Sequence, residues 1–254
     1  MTVAIARPAL VALVSAAVVV AAGAVVLATT VGDEDDEAPS STDEAAVAYA
    51  PTIEPASFTT AVDNPYFPLE PGAQWVYEGR TEDGIERTVV EVTNESREVM
   101  GVTCVVVRDT VSLDGEIIED TYDWFAQDAD GAIWYFGEES SEYENGEVVS
   151  TEGSWESGVD GAQPGIIMPA EPAVGDAYRQ EYYPGEAEDQ AEVLSLTEAV
   201  TVPVGSYDDV LMTEEINPLE PDVVERKYYA KGVGPVLTVQ VEGGSEREEL
   251  VRAS

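Results

Sequence analysis

Carboxylates are the reactive groups this chain has in quantity. Its 254 residues hold 52 aspartates and glutamates against 11 lysines and arginines, with one cysteine and no histidine. A Ser-His-Asp or Cys-His system is therefore impossible, as are zinc sites of the usual Cys/His kinds, and any metal would have to sit among oxygen ligands. General acid or base work would fall to carboxylates, tyrosines, Lys or Arg. Asp160, Glu171, Asp176 and Glu181 lie in or beside the least regular stretch and could pair as glycosidase carboxylates. With 52 acids such proximity is expected by chance, so no catalytic residue is assigned. Asp128-Ala-Asp130-Gly131 invites a calcium reading, but an EF-hand loop needs its glycine sixth and an acidic ligand fifth, whereas here glycine is fourth and Ala132 fifth. These residues read as a hairpin turn; no metal site and no cofactor are expected. Cys104, in the apolar run from Val102 to Val107, reads as a buried thiol with no histidine to activate it.

The formal net charge of −41 excludes nucleic acid as a partner and disfavours anionic lipid headgroups, since both require basic surface. From Pro51 onward there are 45 acids against ten bases, so the folded part is itself acidic. Such a surface holds water and cations and tolerates molar salt, where screening shortens the repulsion to a few ångströms. A salt-adapted source is the expectation.

Ala9 to Val31 is an uncharged run of 23 residues, about 35 Å long as a helix and enough to cross a bilayer core. Arg7 precedes it and Asp33, Glu34, Asp35, Asp36 and Glu37 follow, which places residues 1–8 in the cytoplasm and everything after residue 32 outside. The run exceeds the apolar core of a cleaved signal peptide, and its small-residue pairs fall inside it. A signal anchor over 9–31 is the preferred reading and a cleaved signal peptide the rival. Residues 32–55, acidic with Ala, Ser, Thr and Pro, read as a tether. Residues 56–254 are then one extracytoplasmic domain that must be stable without an internal disulfide.

What must position any site in that domain is β-structure. Strand patterns over 75–81, 86–92, 102–111, 117–127 and 133–138 are punctuated by Asp83-Gly84, Asp114-Gly115 and Asp130-Gly131, and Asn145-Gly146 leads into 147–152. Asp-Gly and Asn-Gly supply the positive φ of tight hairpins, so the run predicts an antiparallel meander. Further strands are expected over 177–183, 192–202, 209–215, 223–230, 236–242 and 247–251. The fold class is all-β: about eleven strands in a strongly curled antiparallel meander, a half-barrel or barrel, preceded by one N-terminal transmembrane helix.

The aromatic pattern suggests where a ligand would sit. Tyr122 and Trp124 share one face of their strand with Phe125 on the other; Trp134 and Phe136 share a face with Ile133 and Tyr135 opposite. A hairpin apolar on both faces suits a sheet with one face on a core and the other lining a cavity. Residues 153–176 carry no strand pattern and are expected to form a long covering loop, anchored by Trp155, Ile166, Ile167 and Met168. The candidate ligand-binding set is thus Tyr122, Trp124, Trp134, Phe136, Trp155, Ile166, Ile167 and Met168, and the expected function is non-enzymatic binding of an apolar small molecule or lipid, or of an envelope partner, with the membrane engaged through residues 9–31. Rival functions are a carboxylate-based hydrolase of envelope sugar and a purely structural envelope module.

Phe58-Thr-Thr60, Asp63-Asn-Pro-Tyr-Phe-Pro-Leu69, Pro71-Gly72 and Trp75, with Asp123-Trp-Phe-Ala-Gln-Asp128, Trp134-Tyr-Phe-Gly-Glu138, Tyr228-Tyr-Ala230 and Gly232-Val-Gly234, resemble a group of uncharacterised exported bacterial proteins, many of them actinobacterial. The resemblance implies an exported β-rich domain and brings no catalytic positions with it. At fold level the curling strands are also similar to lipoprotein-carrier half-barrels that hold acyl chains.

Overall fold

The computed structural model describes residues 49–81 and 83–254. The apolar run 9–31, and residues 32–48 of the acidic stretch behind it, lie outside the described residues, and with them the transmembrane expectation. A 3-10 turn at Pro55–Ser57 leads into sixteen strands: β1 (Phe58–Thr59), β2 (Gln74–Arg80), β3 (Ile85–Val99), β4 (Val102–Leu113), β5 (Glu116–Asp128), β6 (Ile133–Glu144), β7 (Glu147–Ser150), β8 (Trp155–Glu156), β9 (Gln163–Met168), β10 (Ala177–Arg179), β11 (Glu181–Tyr182), β12 (Gln190–Val202), β13 (Gly205–Ile216), β14 (Val224–Ala230), β15 (Gly234–Glu242) and β16 (Arg247–Ala253). Every pairing among them is antiparallel.

The sheet runs in the order β10-β12-β13-β14-β15-β16-β2-β3-β4-β5-β6-β9-β11. Its two ends, β10 and β11, are separated along the chain by Gln180 alone. A single bent stave therefore joins β12 to β9, so the curled sheet comes round to a nearly closed barrel. The backbone N–H groups of Gln180 and Glu181 both donate to the Asp189 carbonyl at that seam. Closure removes the open edges that a sheet this wide would otherwise expose. The C-terminal β16 lies beside β2, and Gln74 and Ser254 exchange backbone hydrogen bonds at 3.0 Å.

The meander follows the turn chemistry. Asp114-Gly115 and Asn145-Gly146 each place both residues at positive φ, 50° and 92° in the first and 53° and 79° in the second, as a two-residue hairpin requires. Met100-Gly101 does the same between β3 and β4 with φ of 51° and 79°, although methionine is no turn residue by type.

Residues 153–176 are not the structureless loop that their Gly and Pro content suggests. Gln163–Met168 form β9, a stave of the barrel between β6 and β11, and Trp155–Glu156 form β8 against Gly137 and Glu138. Pro164 and Gly165 disguise the strand because both residue types are poor strand formers. Here Pro164 pairs with Glu181, and a Cβ on Gly165 would collide with the backbone of Gln180 and Glu181.

Two cores lie on the two faces of the sheet. The larger fills the barrel and includes Trp75, Val107, Phe125, Tyr135, Ile167, Leu211 and Tyr229. The smaller lies outside, where Cys104, Val106, Trp124 and Phe136 are covered by Ile53 and Phe58 from the incoming chain. Phe58 meets Trp134 and Phe136 edge-on, with centroids 6.2 and 5.5 Å apart. Cys104 is buried here, and burial pushes its thiol up to about 12, which leaves it protonated and inert.

Candidate functional site

Alternation along the strands builds an interior with two chemical halves. On β4 the inward residues Val105 and Val107 give way to Asp109; on β5 Phe125 gives way to Asp123; on β14 Tyr229 gives way to Lys227. One half of the barrel is therefore apolar and the other carries buried acids.

The apolar half is capped by residues 62–69. Asn64, 3 % exposed, ties this plug down: its Nδ2 donates to the carbonyls of Gly131 and Pro169, and its Oδ1 accepts from the Tyr66 N–H. Gln127 Oε1 accepts from the backbone N–H groups of Asp63 and Asn64, the Gly232 N–H donates to the Pro65 carbonyl, and Trp75 Nε1 donates to the Val233 carbonyl. Phe67 then meets Phe125 edge-on at 5.5 Å, Phe125 stacks on Tyr135 at 4.7 Å, and Tyr135 meets Trp155 edge-on at 5.4 Å. Segments 63–69, 123–128 and 232–234, far apart in sequence, thus come together to close one end of the barrel.

Between this plug and the acids lies a cavity of about 80 Å³. Phe67, Leu69, Trp75, Phe125, Ile167 and Tyr229 form its apolar wall, and Asp109, Asp123, Lys227 and Thr238 its polar end. At about 15 Å³ per water-sized group it has room for roughly half a dozen non-hydrogen atoms. That is well short of the ~300–1,000 Å³ of sites that enclose drug-sized ligands.

Val107 pairs with Asp123 across β4 and β5, so Asp109 and Asp123 are diagonal neighbours on one face. Asp123 in turn stands directly opposite Glu138 on β6, and Tyr135 donates its hydroxyl proton to Asp123 Oδ1 at 2.6 Å. Burial raises the Asp123 carboxyl to about 7, the Tyr135 hydrogen bond opposes the rise, and Glu119 adds to it. Asp109 is raised well above the carboxylate range by burial and then by Asp123 and other acids, and its Oδ1 has no hydrogen-bond partner. Glu138 and Glu181, 1 % and 0 % exposed, are likewise raised by burial first and neighbouring acids second. Lys227 Nζ pairs with Glu215 at 2.7 Å; burial alone would lower its pKa, but Glu215 and Glu225 reverse the sign.

The sequence-derived candidates divide between the two faces. Trp155, Ile167 and Met168 face the interior core, and of the eight candidates Ile167 lines the cavity. Ile166 is half-buried on β9. Tyr122, Trp124, Trp134 and Phe136 belong to the outer core under Ile53 and Phe58, so the structure does not bring them to the cavity. The hairpin is apolar on both faces because one faces the barrel interior and the other is covered by the incoming chain.

Asp160, Glu171 and Asp176 are exposed, whereas Glu181 is buried in the barrel, so these four do not converge. Asp128 works as a turn residue. Its Oδ1 accepts from the N–H groups of Asp130, Gly131 and Ala132, and its Oδ2 from Trp134 Nε1 at 2.8 Å. Asp109 interrupts an alternation of buried valines, Val105, Val107 and Val111, and is legible in the sequence for that reason; Asp123 stands between Thr121 and Phe125 on its face, and only its pairing opposite Val107 shows that it points inward.

No family model matches the chain, and no curated protein matches it. Among solved structures, a candidate exported protein of Bacteroides fragilis with a YmcC-like fold aligns at 17 % identity with a TM-score of 0.44, covering 74 % of this chain and 98 % of the other. A candidate lipoprotein of Parabacteroides distasonis aligns at 13 % identity with a TM-score of 0.41 and the same coverage.

Proposed function

We propose that this chain is an extracytoplasmic β domain, held at the membrane by residues 9–31, that binds a small apolar molecule inside its barrel. The observation that carries the reading is the cavity of about 80 Å³ left between the plug and the buried acids, walled by Phe67, Leu69, Trp75, Phe125, Ile167 and Tyr229. A close-packed interior leaves few voids larger than a water, so a ring-lined space of this size is a feature that needs a reason. Its dimensions suit a ligand of roughly half a dozen heavy atoms, or the end of a longer one. An acyl chain would fit only if residues 62–69 moved aside.

The test is titration of the protein with pentan-1-ol, followed by backbone amide NMR shifts. Saturable shifts centred on β4, β5 and the plug, abolished by Ile167→Trp, which fills the cavity, would support the reading. Unsaturable or scattered shifts would overturn it.

A further inference from the structure

The polar end of the cavity is unbalanced, and the imbalance specifies a ligand class. Asp109 is 3 % exposed, lines the cavity, and has an oxygen with no hydrogen-bond partner. A buried polar atom left unpaired costs about 1–3 kcal/mol, and among the described residues with such an atom Asp109 is the one that lines the cavity. Asp123 stands diagonal to it on the same face with one oxygen already bonded to Tyr135. The basic side chain at the cavity, Lys227, is committed to Glu215 at 2.7 Å. The nearest arginine in sequence, Arg108, is turned to the other face of β4 and holds Asp120 through two hydrogen bonds of 2.7 and 2.9 Å. Two carboxyls therefore face the cavity without a cation of their own.

An anion finds no uncommitted cation there, and Asp123, raised only to about 7, is charged at pH 8 and repels it. A metal ion is a poor fit, because no group of three or more acidic, cysteine or histidine side chains with metal-holding geometry occurs among the described residues. The opposite wall is apolar. An organic cation with a hydrocarbon body satisfies both ends at once, with the ammonium donating charge-assisted hydrogen bonds to the carboxyls and the body against the rings.

We propose that Asp109 and Asp123 together receive the ammonium head of a small amphipathic amine whose hydrocarbon part lies against Phe67, Trp75, Phe125 and Ile167. This inference rests on the binding function proposed above and adds the charge of the ligand.

Three probes of one size separate the two ideas: pentylammonium, pentan-1-ol and pentanoate, titrated calorimetrically into the full-length protein at pH 8 in dilute buffer and in molar sodium chloride. The expected result is one-site binding of pentylammonium roughly tenfold or more tighter than pentan-1-ol, with pentanoate weakest. Asp109→Asn should weaken pentylammonium by a similar factor and leave pentan-1-ol nearly unchanged. Asp160→Asn, at an exposed acid, should change neither. If Asp109→Asn does not fold, Asp123→Asn reads the same loss. Equal affinity for the amine and the alcohol, or an amine affinity indifferent to both substitutions and lost in salt, would sink the cation assignment while leaving the apolar site standing. Displacement of pentylammonium by micromolar calcium would replace it with a metal site. Failure of all three probes to bind would remove this proposal and the binding function together.

Discussion

Lys227 illustrates how single charges hold the acidic half of the barrel. Glu215 bonds it directly, and Glu225 and Asp189 add their fields, so one base answers several acids. Lys227→Met would keep the packing of the stem and leave those carboxyls facing one another. The expected loss is about 3–5 kcal/mol in urea unfolding at pH 8, the range for removing one partner of a buried pair. At pH 5 the loss should shrink, because the carboxyls left behind can take up protons. The same groups set the pH dependence of the whole domain. Burial first, with neighbouring acids adding, raises Asp189 and Glu225 to about 7 and Glu248 to about 8, as it raises Asp123 to about 7. Lys227 opposes the rise at Asp189, Glu225 and Glu248, and Thr88 opposes it at Glu248. In the unfolded chain these acids release their protons near pH 4. The folded state thus holds protons that the unfolded state has lost, and stability falls as pH rises from about 4 through 7 to 8. Calorimetry between pH 5 and pH 9 in molar salt, where surface repulsion is screened, should show a steadily falling Tm; a rising Tm would contradict this account of the interior.

At the scale of elements, the bulge in β6 decides which acids meet. Between Phe125↔Tyr135 and Asp123↔Glu138 the partner strand advances two residues while β6 advances three. Gly137, at φ 128°, absorbs the extra residue and turns Glu138 to the inward face. A Cβ at Gly137 would run into the Trp155 carbonyl and lie 3.0 Å from Glu156 Cα, on a backbone that L side chains rarely adopt. Gly137→Ala should therefore cost roughly 2–4 kcal/mol in chemical unfolding, and wild-type stability in that variant would dismiss the bulge as a constraint. This bulge also explains what the sequence could and could not reveal. Strict alternation puts Glu138 with Trp134 and Phe136 on the outside, and only a register shift brings it in. The hairpins at Asp114-Gly115 and Asn145-Gly146 were legible because their φ demands are met by residue type, whereas Met100-Gly101 uses a residue that advertises nothing. β9 was hidden by Pro164 and Gly165, and its place in the barrel depends on β6 and β11, distant partners that local pattern cannot name. The aromatic hairpin was legible as two-faced, but which face met the cavity depended on Ile53 and Phe58, assigned by composition to the tether and its margin.

For the molecule as a whole, the governing quantity is the excess of acids on a nearly closed barrel. Six of its bases, Arg87, Arg97, Arg108, Arg226, Lys227 and Arg247, are already in ion pairs. Salt therefore acts on two populations with opposite sign. It weakens the pairs, but in all except the Lys227 pair the arginine is 38–47 % exposed, and such pairs contribute about 0–1 kcal/mol each. It also screens the repulsion among the acids that have no base to answer them, 45 against ten from Pro51 onward. The Debye length contracts from about 10 Å at 0.1 M to about 3 Å at 1 M, shorter than most separations between surface carboxylates. Screening of the larger population wins, so the domain should gain a few kcal/mol in molar salt. For a domain of this size that corresponds to a Tm higher by roughly 5–15 °C. Potassium chloride and sodium chloride at equal ionic strength should act alike, since the effect is screening and not site binding. Thermal unfolding monitored by circular dichroism across that range is the measurement. A Tm that does not move with salt would remove the salt-adapted reading. A rise produced by micromolar calcium alone would require a cation site other than Asp128, whose two carboxylate oxygens already hold the β5–β6 turn and the Trp134 ring.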